Sequence, residues 1–267
     1  MQDLEQTRQP AVAGKFYPDN PSELKRYVDT LLSNCWQDAQ PTKHRPRAMI
    51  LPHAGYPFSG EAAAKGYALL RPYREQIKHV ALLGPSHCVD FQGMAVPSLD
   101  SFSSPLGPVA INANMRSEAL NHAGVITDDA PHAREHSLEV HLPFLQQVLL
   151  DFDLLPIAFG RTTPESGGQL IEALLNQDTL IIVSSDLSHF FNDDQARRLD
   201  RQTSTAIEKL DYPNRALHQA CGAMPIHALL WAARNKGLQA NTICLRNSGD
   251  VTGERSSVVG YGSYVFH

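Results

Sequence analysis

The sequence predicts an α/β fold: a single-domain sandwich, residues 1–267, with a mostly parallel central sheet covered by helices on both faces. Three observations carry this. The runs "AMIL" (Ala48–Leu51), "VALL" (Val80–Leu83) and "LIIVSS" (Leu180–Ser185) are short, apolar and bounded by Gly, Pro or polar residues. Runs of this kind mark strands buried on both faces. Segments with helical spacing fall between such runs, so strands and helices alternate along the chain. Finally, each run is followed within four residues by a histidine or an aspartate: His53, His87 and Asp186.

The elements follow in order. After "AVAGKFYP", a helix is expected over Pro21–Leu32 and a strand over Arg47–Leu51. Ser59 is expected to cap a helix running through "GEAAAKGYALL". The next strand is His79–Leu83, and "GMAVP" reads as another. "NANMRSEALNHAG" reads as a helix stopped by Gly124. Leu138, Leu142, Leu145 and Leu149 lie at helical spacing in "HSLEVHLPFLQQVLLD", where Pro143 must sit in the first turns or kink the helix. Strand "DLLPIAF", helix "PESGGQLIEALLN" and strand "TLIIVSS" continue the alternation. Helices are then expected at about 193–209 and from Pro225 to Asn235. The last strands, "NTICLR" and "SSVVGYGSYVF", are expected to pair antiparallel at an edge.

Bulk properties exclude several functions. A net charge of −5 without a basic run argues against a nucleic-acid surface. "MQDLEQTRQP" is polar, unlike a secretory signal, and no apolar run reaches membrane-spanning length. The cysteines Cys35, Cys88, Cys221 and Cys244 are widely spaced with no C-x-x-C pair, which fits a reducing cytoplasm.

In an open α/β sheet, ligands bind outside the carboxyl ends of the strands. Three strands that deliver His53, His87, Asp186 and His189 to that edge predict one pocket holding all four. A lone histidine beside Pro and Gly in a turn is ordinarily structural; the joint placement is what points to a site. Neutral imidazoles suit a metal. Asp186 and His189 suit a general base with its orienting carboxylate, while Asp186 also reads as a helix cap.

"EHSLEVHLPF" approaches the zinc-protease pattern H-x-x-E-H but has one residue too many. That residue turns His141 by roughly 100° away from His136 on a helix, so the protease reading is rejected. His136 and His141 are left as pocket-lining or structural residues, and His132, four residues before His136, has no other support. Cys221, before Gly222 and a helix opened by Pro225, is a ligand or nucleophile on one reading and a buried inert thiol on the other.

Taken together, "LPHAGYPFSG", "LLGPSHCV", "EHSLEVHLPF", "VSSDLSHF" and "CGAMPI", in this order after "AVAGKFYP", resemble the Memo family, whose microbial members are labelled AmmeMemoRadiSam system protein B. The resemblance covers nearly the whole chain. It implies a fold similar to the class III extradiol dioxygenases, with His53 and His87 matching two ligands of a non-haem iron. Cys221 falls where those enzymes use a glutamate, and His189 matches their acid–base histidine. Asp186 and His141 would be pocket neighbours. A thiolate is softer than a carboxylate, so the resemblance implies iron or copper, with zinc compatible, and carries the fold further than the oxygenase activity.

The leading expectation is therefore a cytoplasmic metal-binding protein with redox chemistry on a small organic substrate and a link to a radical-SAM pathway partner. The chain itself has no C-x-x-x-C-x-x-C cluster. Animal members are described as signalling adaptors, so one alternative is a non-catalytic module that binds a ligand or peptide. Another is a metal-free hydrolase using Cys221, His189 and Asp186.

Overall fold

The computed structural model describes residues 6–36 and 44–267. Twelve strands and nine α-helices alternate along them. The strands are β1 (Thr7–Arg8), β2 (Ala48–Leu51), β3 (His79–Pro85), β4 (Met94–Val96), β5 (Ser101–Ser104), β6 (Gly107–Ala110), β7 (Val125–Thr127), β8 (Asp153–Phe159), β9 (Thr179–Ser184), β10 (His189–Phe191), β11 (Ala240–Asn247) and β12 (Val258–Phe266). The helices are α1 (Pro21–Trp36), α2 (Tyr56–Ala68), α3 (Ala113–Leu120), α4 (Ala130–Ala133), α5 (Leu142–Val148), α6 (Pro164–Leu174), α7 (Asp193–Glu208), α8 (Ala223–Asn235) and α9 (Gly249–Thr252).

The large sheet runs β10-β12-β2-β9-β3-β8-β4-β7, and β11 pairs with β12. Its centre, β2, β9, β3 and β8, is parallel. The expected antiparallel pairing of the last two strands is present, Ala240 opposite Phe266. Strand β12 is not itself the edge, because it also pairs antiparallel with β2, and β10 and β11 both border it. A second sheet, β1-β5-β6, has three short strands; its alternating burial and small residues gave no clear signal in the sequence.

Side chains alternate across a strand, and here the alternation divides the core in two. Ala48, Ile50, Ala81, Leu83, Ile181 and Val183 pack on the side of α3, α6 and α8. Met49, Leu51, Val80, Leu82, Leu180 and Ile182 pack on the side of α1, α2 and α5. Continuous apolar runs were thus required because both faces are covered.

Helix α1 runs past the expected Leu32 to Trp36, and α3 ends at Leu120, ahead of Gly124; three further helices differ in how they begin. Helix α2 starts at Tyr56 behind Gly55, with a proline in its opening positions, so Ser59 lies inside it and donates to the Ala54 carbonyl at 2.8 Å. Proline's fixed φ sets that start. The 136–151 segment forms a 3₁₀ turn at Glu139–His141 and then α5, with Pro143 in its first turn. Helix α8 opens at Ala223, two residues ahead of Pro225, behind Gly222. No helix is long and apolar enough to cross a membrane among the described residues.

Candidate metal centre

Parallel β2, β3 and β9 end at the same edge, and the residues that follow them meet there. One potential ligand atom from each of His53, His87 and His136 lies within 4.8 Å of the others. His53 follows β2, His87 follows β3, and His136 comes from the loop between α4 and the Glu139 turn. The rings are packed: His53 meets both partners edge-on at 5.3 Å, and His87 stacks on His136 at 4.6 Å.

Hydrogen bonds fix which nitrogen His53 and His87 present. The Ser184 hydroxyl donates to the Ser137 carbonyl at 2.5 Å, so its oxygen is left to accept. His53 Nδ1 lies 2.6 Å from it and His141 Nε2 2.9 Å. Both nitrogens are therefore the protonated ones. Tyr67 donates to the remaining His141 nitrogen at 2.9 Å, which satisfies that ring completely. His53 Nε2 is left without a proton and faces Cys221 Sγ at 3.2 Å. His87 Nδ1 donates to Glu135 at 2.8 Å, while its backbone N–H binds the other carboxylate oxygen at 2.5 Å. His87 Nε2 is unprotonated as well.

Charge follows this geometry. Burial is the main reason His53 is held well below the usual histidine range, helped by the charges of His136, His87, His141 and His189. Burial lowers His136 too, against the pull of Glu135. Burial alone would raise Glu135; the hydrogen bond and charge of His87 and the N–H groups of Ser137 and His87 outweigh it, holding the carboxyl at about 2. Three imidazoles, two of them held below the usual histidine range, beside one fixed carboxylate fit a divalent cation.

Cys221 sits next to the trio, its Sγ 3.2 Å from His53 Nε2 and 3.3 Å from the Asp186 N–H. Gly222 makes this approach feasible: a Cβ there would lie 2.6 Å from the Ser184 carbonyl oxygen and 2.7 Å from Ser185 Cβ. Gly84 plays the same part under the Ser137–Leu138 loop, where a Cβ would meet both side chains at 2.9 Å. Burial and then the Asp186 charge push the Cys221 thiol up to about 12.

Asp186 and His189 do not form the expected pair. Asp186 accepts the His53 N–H at 2.8 Å and also that of Ala54, and β10 rather than a helix follows it. Burial raises its pKa to about 7 despite those bonds and the His87 charge. Its carboxylate therefore pins the β2 loop. The His189 ring faces the Leu187 and Gln219 carbonyls, and burial leads its lowered pKa. His132 is in the core and donates to the Ala95 carbonyl at 3.0 Å, facing away from His136.

Glu139, between His136 and His141, serves the amino-terminal segment. Its buried carboxylate pairs with Arg8 and accepts from Ala11 N at 2.7 Å, Val12 N at 3.0 Å and Tyr17 Oη at 2.5 Å. Sequence reasoning missed Glu135, Ser184 and Glu139. Glu135 carried a signal, as a carboxylate next to a candidate ligand histidine; Ser184 carried none, since a strand-end serine is ordinary.

Residues 8–265 match the Memo-like protein family. The chain belongs to the Memo family. MEMO1 family proteins of Aquifex aeolicus and Methanosarcina acetivorans are 34% and 35% identical to it, each over 97% of this chain and 98% of the relative. An uncharacterized protein from Escherichia coli K12 covers 81% of this Memo-family chain and 99% of its own length with a TM-score of 0.54. At 12% identity that likeness shows the fold alone. Family membership and the three-histidine group agree with the resemblance noted in the motifs. In this Memo-family chain the gathered trio contains His136, with Cys221 beside it, where the motif resemblance implied Cys221 as the third ligand.

Proposed function

We propose that this Memo-family protein is a metal-dependent oxidoreductase acting on a small organic substrate, with the metal held by His53, His87 and His136 and with Cys221 as an adjoining donor. The observation that carries it is the pair of unprotonated Nε2 atoms, His87's and, beside Cys221 Sγ, His53's, each set by a bond to the opposite nitrogen, in a three-histidine group whose ligand atoms lie within 4.8 Å. Imidazoles suit iron, copper and zinc, and a neighbouring thiol favours copper or iron over a hard cation.

When bound, such a metal would supply Lewis acidity and, if iron or copper, electron transfer. The protein's own groups do the rest. Glu135 and Ser184 hold two imidazoles in one tautomer, and Asp186 pins the backbone that carries His53. His189, near enough for its charge to bear on His53, would be the group to take or return a substrate proton. A cleft of ≈ 560 Å³ lined by His87, Cys221, Phe159, Met224 and Arg161 reaches the centre, a volume suited to a small molecule. The metal-free hydrolase reading is disfavoured, because a thiol near 12 is a weak nucleophile and its ring neighbour is His53.

The deciding measurement is metal content of protein purified without added metal, alongside His53→Ala, His87→Ala and His136→Ala. Near-stoichiometric iron or copper in the parent and its loss in all three variants is the expected result. Metal-free parent that also fails to take up iron, copper or zinc on titration sinks the reading.

A further inference from the structure

We infer that the cleft between α7 and the Arg215–Gln219 turn is a second ligand site, for a small phosphorylated organic molecule. The cleft has a volume of ≈ 930 Å³ and lies along α7 from Arg197 to Lys209, with Asp211 and Asn214–Ala216 as its facing wall. Small-molecule sites typically span roughly 300–1,000 Å³, so this is a ligand-sized space.

Its charge runs against that of the whole chain. The protein carries 28 acidic and 23 Lys and Arg residues, yet five of those cations line this one cleft: Arg197, Arg198, Arg201, Lys209 and Arg215. Arg197 is committed to Asp193 and Asp250. Lys209 follows the carboxyl end of α7, where the helix dipole favours a cation, so it has an explanation of its own. Arg198, Arg201 and Arg215 have neither excuse nor an ion-pair partner among the described residues. The carboxylate in the lining, Asp211, accepts from Asn214 at 2.8 Å. Like charges gathered on one concave surface without partners raise the positive potential there, which attracts an anion.

Arg198 and Arg201 are three residues apart on one helix, hence neighbours on one face, and Arg215 approaches from the opposite wall. A planar guanidinium fork matches phosphate oxygens in pairs. Gln202, Thr205, Asn214 and Gln219 add neutral hydrogen-bonding groups, and Leu199, Ala206 and Ala216 supply apolar contact for an organic portion. A bare inorganic anion would leave those contacts unused. The facing wall is held to α7 by Thr203 Oγ1, which donates to the Ala216 carbonyl at 2.9 Å. Gln219, at the end of that wall, also receives the His189 ring, so the cleft and the metal centre share one segment of chain.

The test is calorimetric titration of the full-length protein at low salt with three probes: sodium diphosphate, ADP and a single-stranded oligonucleotide. Arg201→Gln/Arg215→Gln is the paired variant; both side chains are exposed, and circular dichroism confirms folding. The expected result is saturable ADP binding, tighter than diphosphate, about 10-fold or more weaker in the double variant and weaker as salt rises. Because metal content is not read, failure here leaves the metal centre untouched. No saturable binding of ADP or diphosphate overturns the inference, as does binding unchanged in the double variant. Binding of the oligonucleotide alone also overturns it, and would assign the cleft to a nucleic acid.

Discussion

Ser184 Oγ stands 2.6 Å from His53 Nδ1 and 2.9 Å from His141 Nε2, with its own proton committed to the Ser137 carbonyl. One hydroxyl at the end of β9 therefore sets the tautomer of a ring that follows β2. Ser184→Ala keeps the size of the side chain but leaves two buried N–H groups and a carbonyl short of a partner. We expect metal affinity to fall by about 10-fold or more, the usual effect of losing a group that orients a ligand. Stability should fall by roughly 1–3 kcal/mol. A metal titration and a urea unfolding curve check the two effects, and unchanged affinity would show that the hydroxyl does not govern His53.

Cys221 separates two versions of the centre. With the trio as the primary donors, Cys221→Ser should keep metal stoichiometry while weakening affinity about 10-fold. Cys35→Ser and Cys244→Ser should change nothing, since both thiols are packed in apolar clusters. Loss of stoichiometric binding in Cys221→Ser would instead make the thiolate a principal ligand and His136 the auxiliary one.

The Arg8–Glu139 pair is almost fully buried, with side-chain exposures of 3% and 0%. Removing one partner leaves the other charged and unpaired, so Arg8→Met should destabilise by about 3–5 kcal/mol. Equilibrium unfolding measures this. Limited proteolysis should also begin to cut near residues 11–17, which Glu139 now holds; a variant as stable and as resistant as the parent contradicts the assignment.

His132 gives a prediction in pH. Burial lowers its pKa from 6.5 to about 4 in the fold, against the raising effect of the Ala95 carbonyl. The unfolded chain therefore takes up this proton first. Stability from this group is complete above pH 6.5, falls as pH drops from 6.5 towards 4, and is flat below, a loss of up to about 3 kcal/mol. His132→Gln retains an N–H for Ala95 and cannot titrate. Its unfolding free energy should decline less than the parent's between pH 6.5 and 4.5, and parallel curves would rule out the contribution.

Local patterns made much of this legible. Apolar runs gave β2, β3, β8 and β9, because strands covered on both faces need apolar residues at every position. The strand ends then placed His53, His87 and Asp186 at one edge, since parallel strands share direction. Helix starts were less legible where a proline and a glycine competed with a better-looking cap, as at Ser59 and Pro225.

The division follows from what each kind of interaction needs. Periodicity and strand polarity are properties of neighbouring residues, so the sequence alone determined the α/β sandwich, the strand edge where the histidines gather, and two of the three, His53 and His87. Partner choice across the fold is not local. Glu135 binds His87 across 48 positions, Ser184 binds His53 across 131, and Cys221 reaches His53 across 168. Only the tertiary structure decided that His136 joins the trio while His141 is satisfied elsewhere, and that Asp186 pins a backbone rather than steering His189. Each outcome depends on which groups stand within a few ångströms of a ring or carboxylate, distances set by packing between segments far apart in the chain.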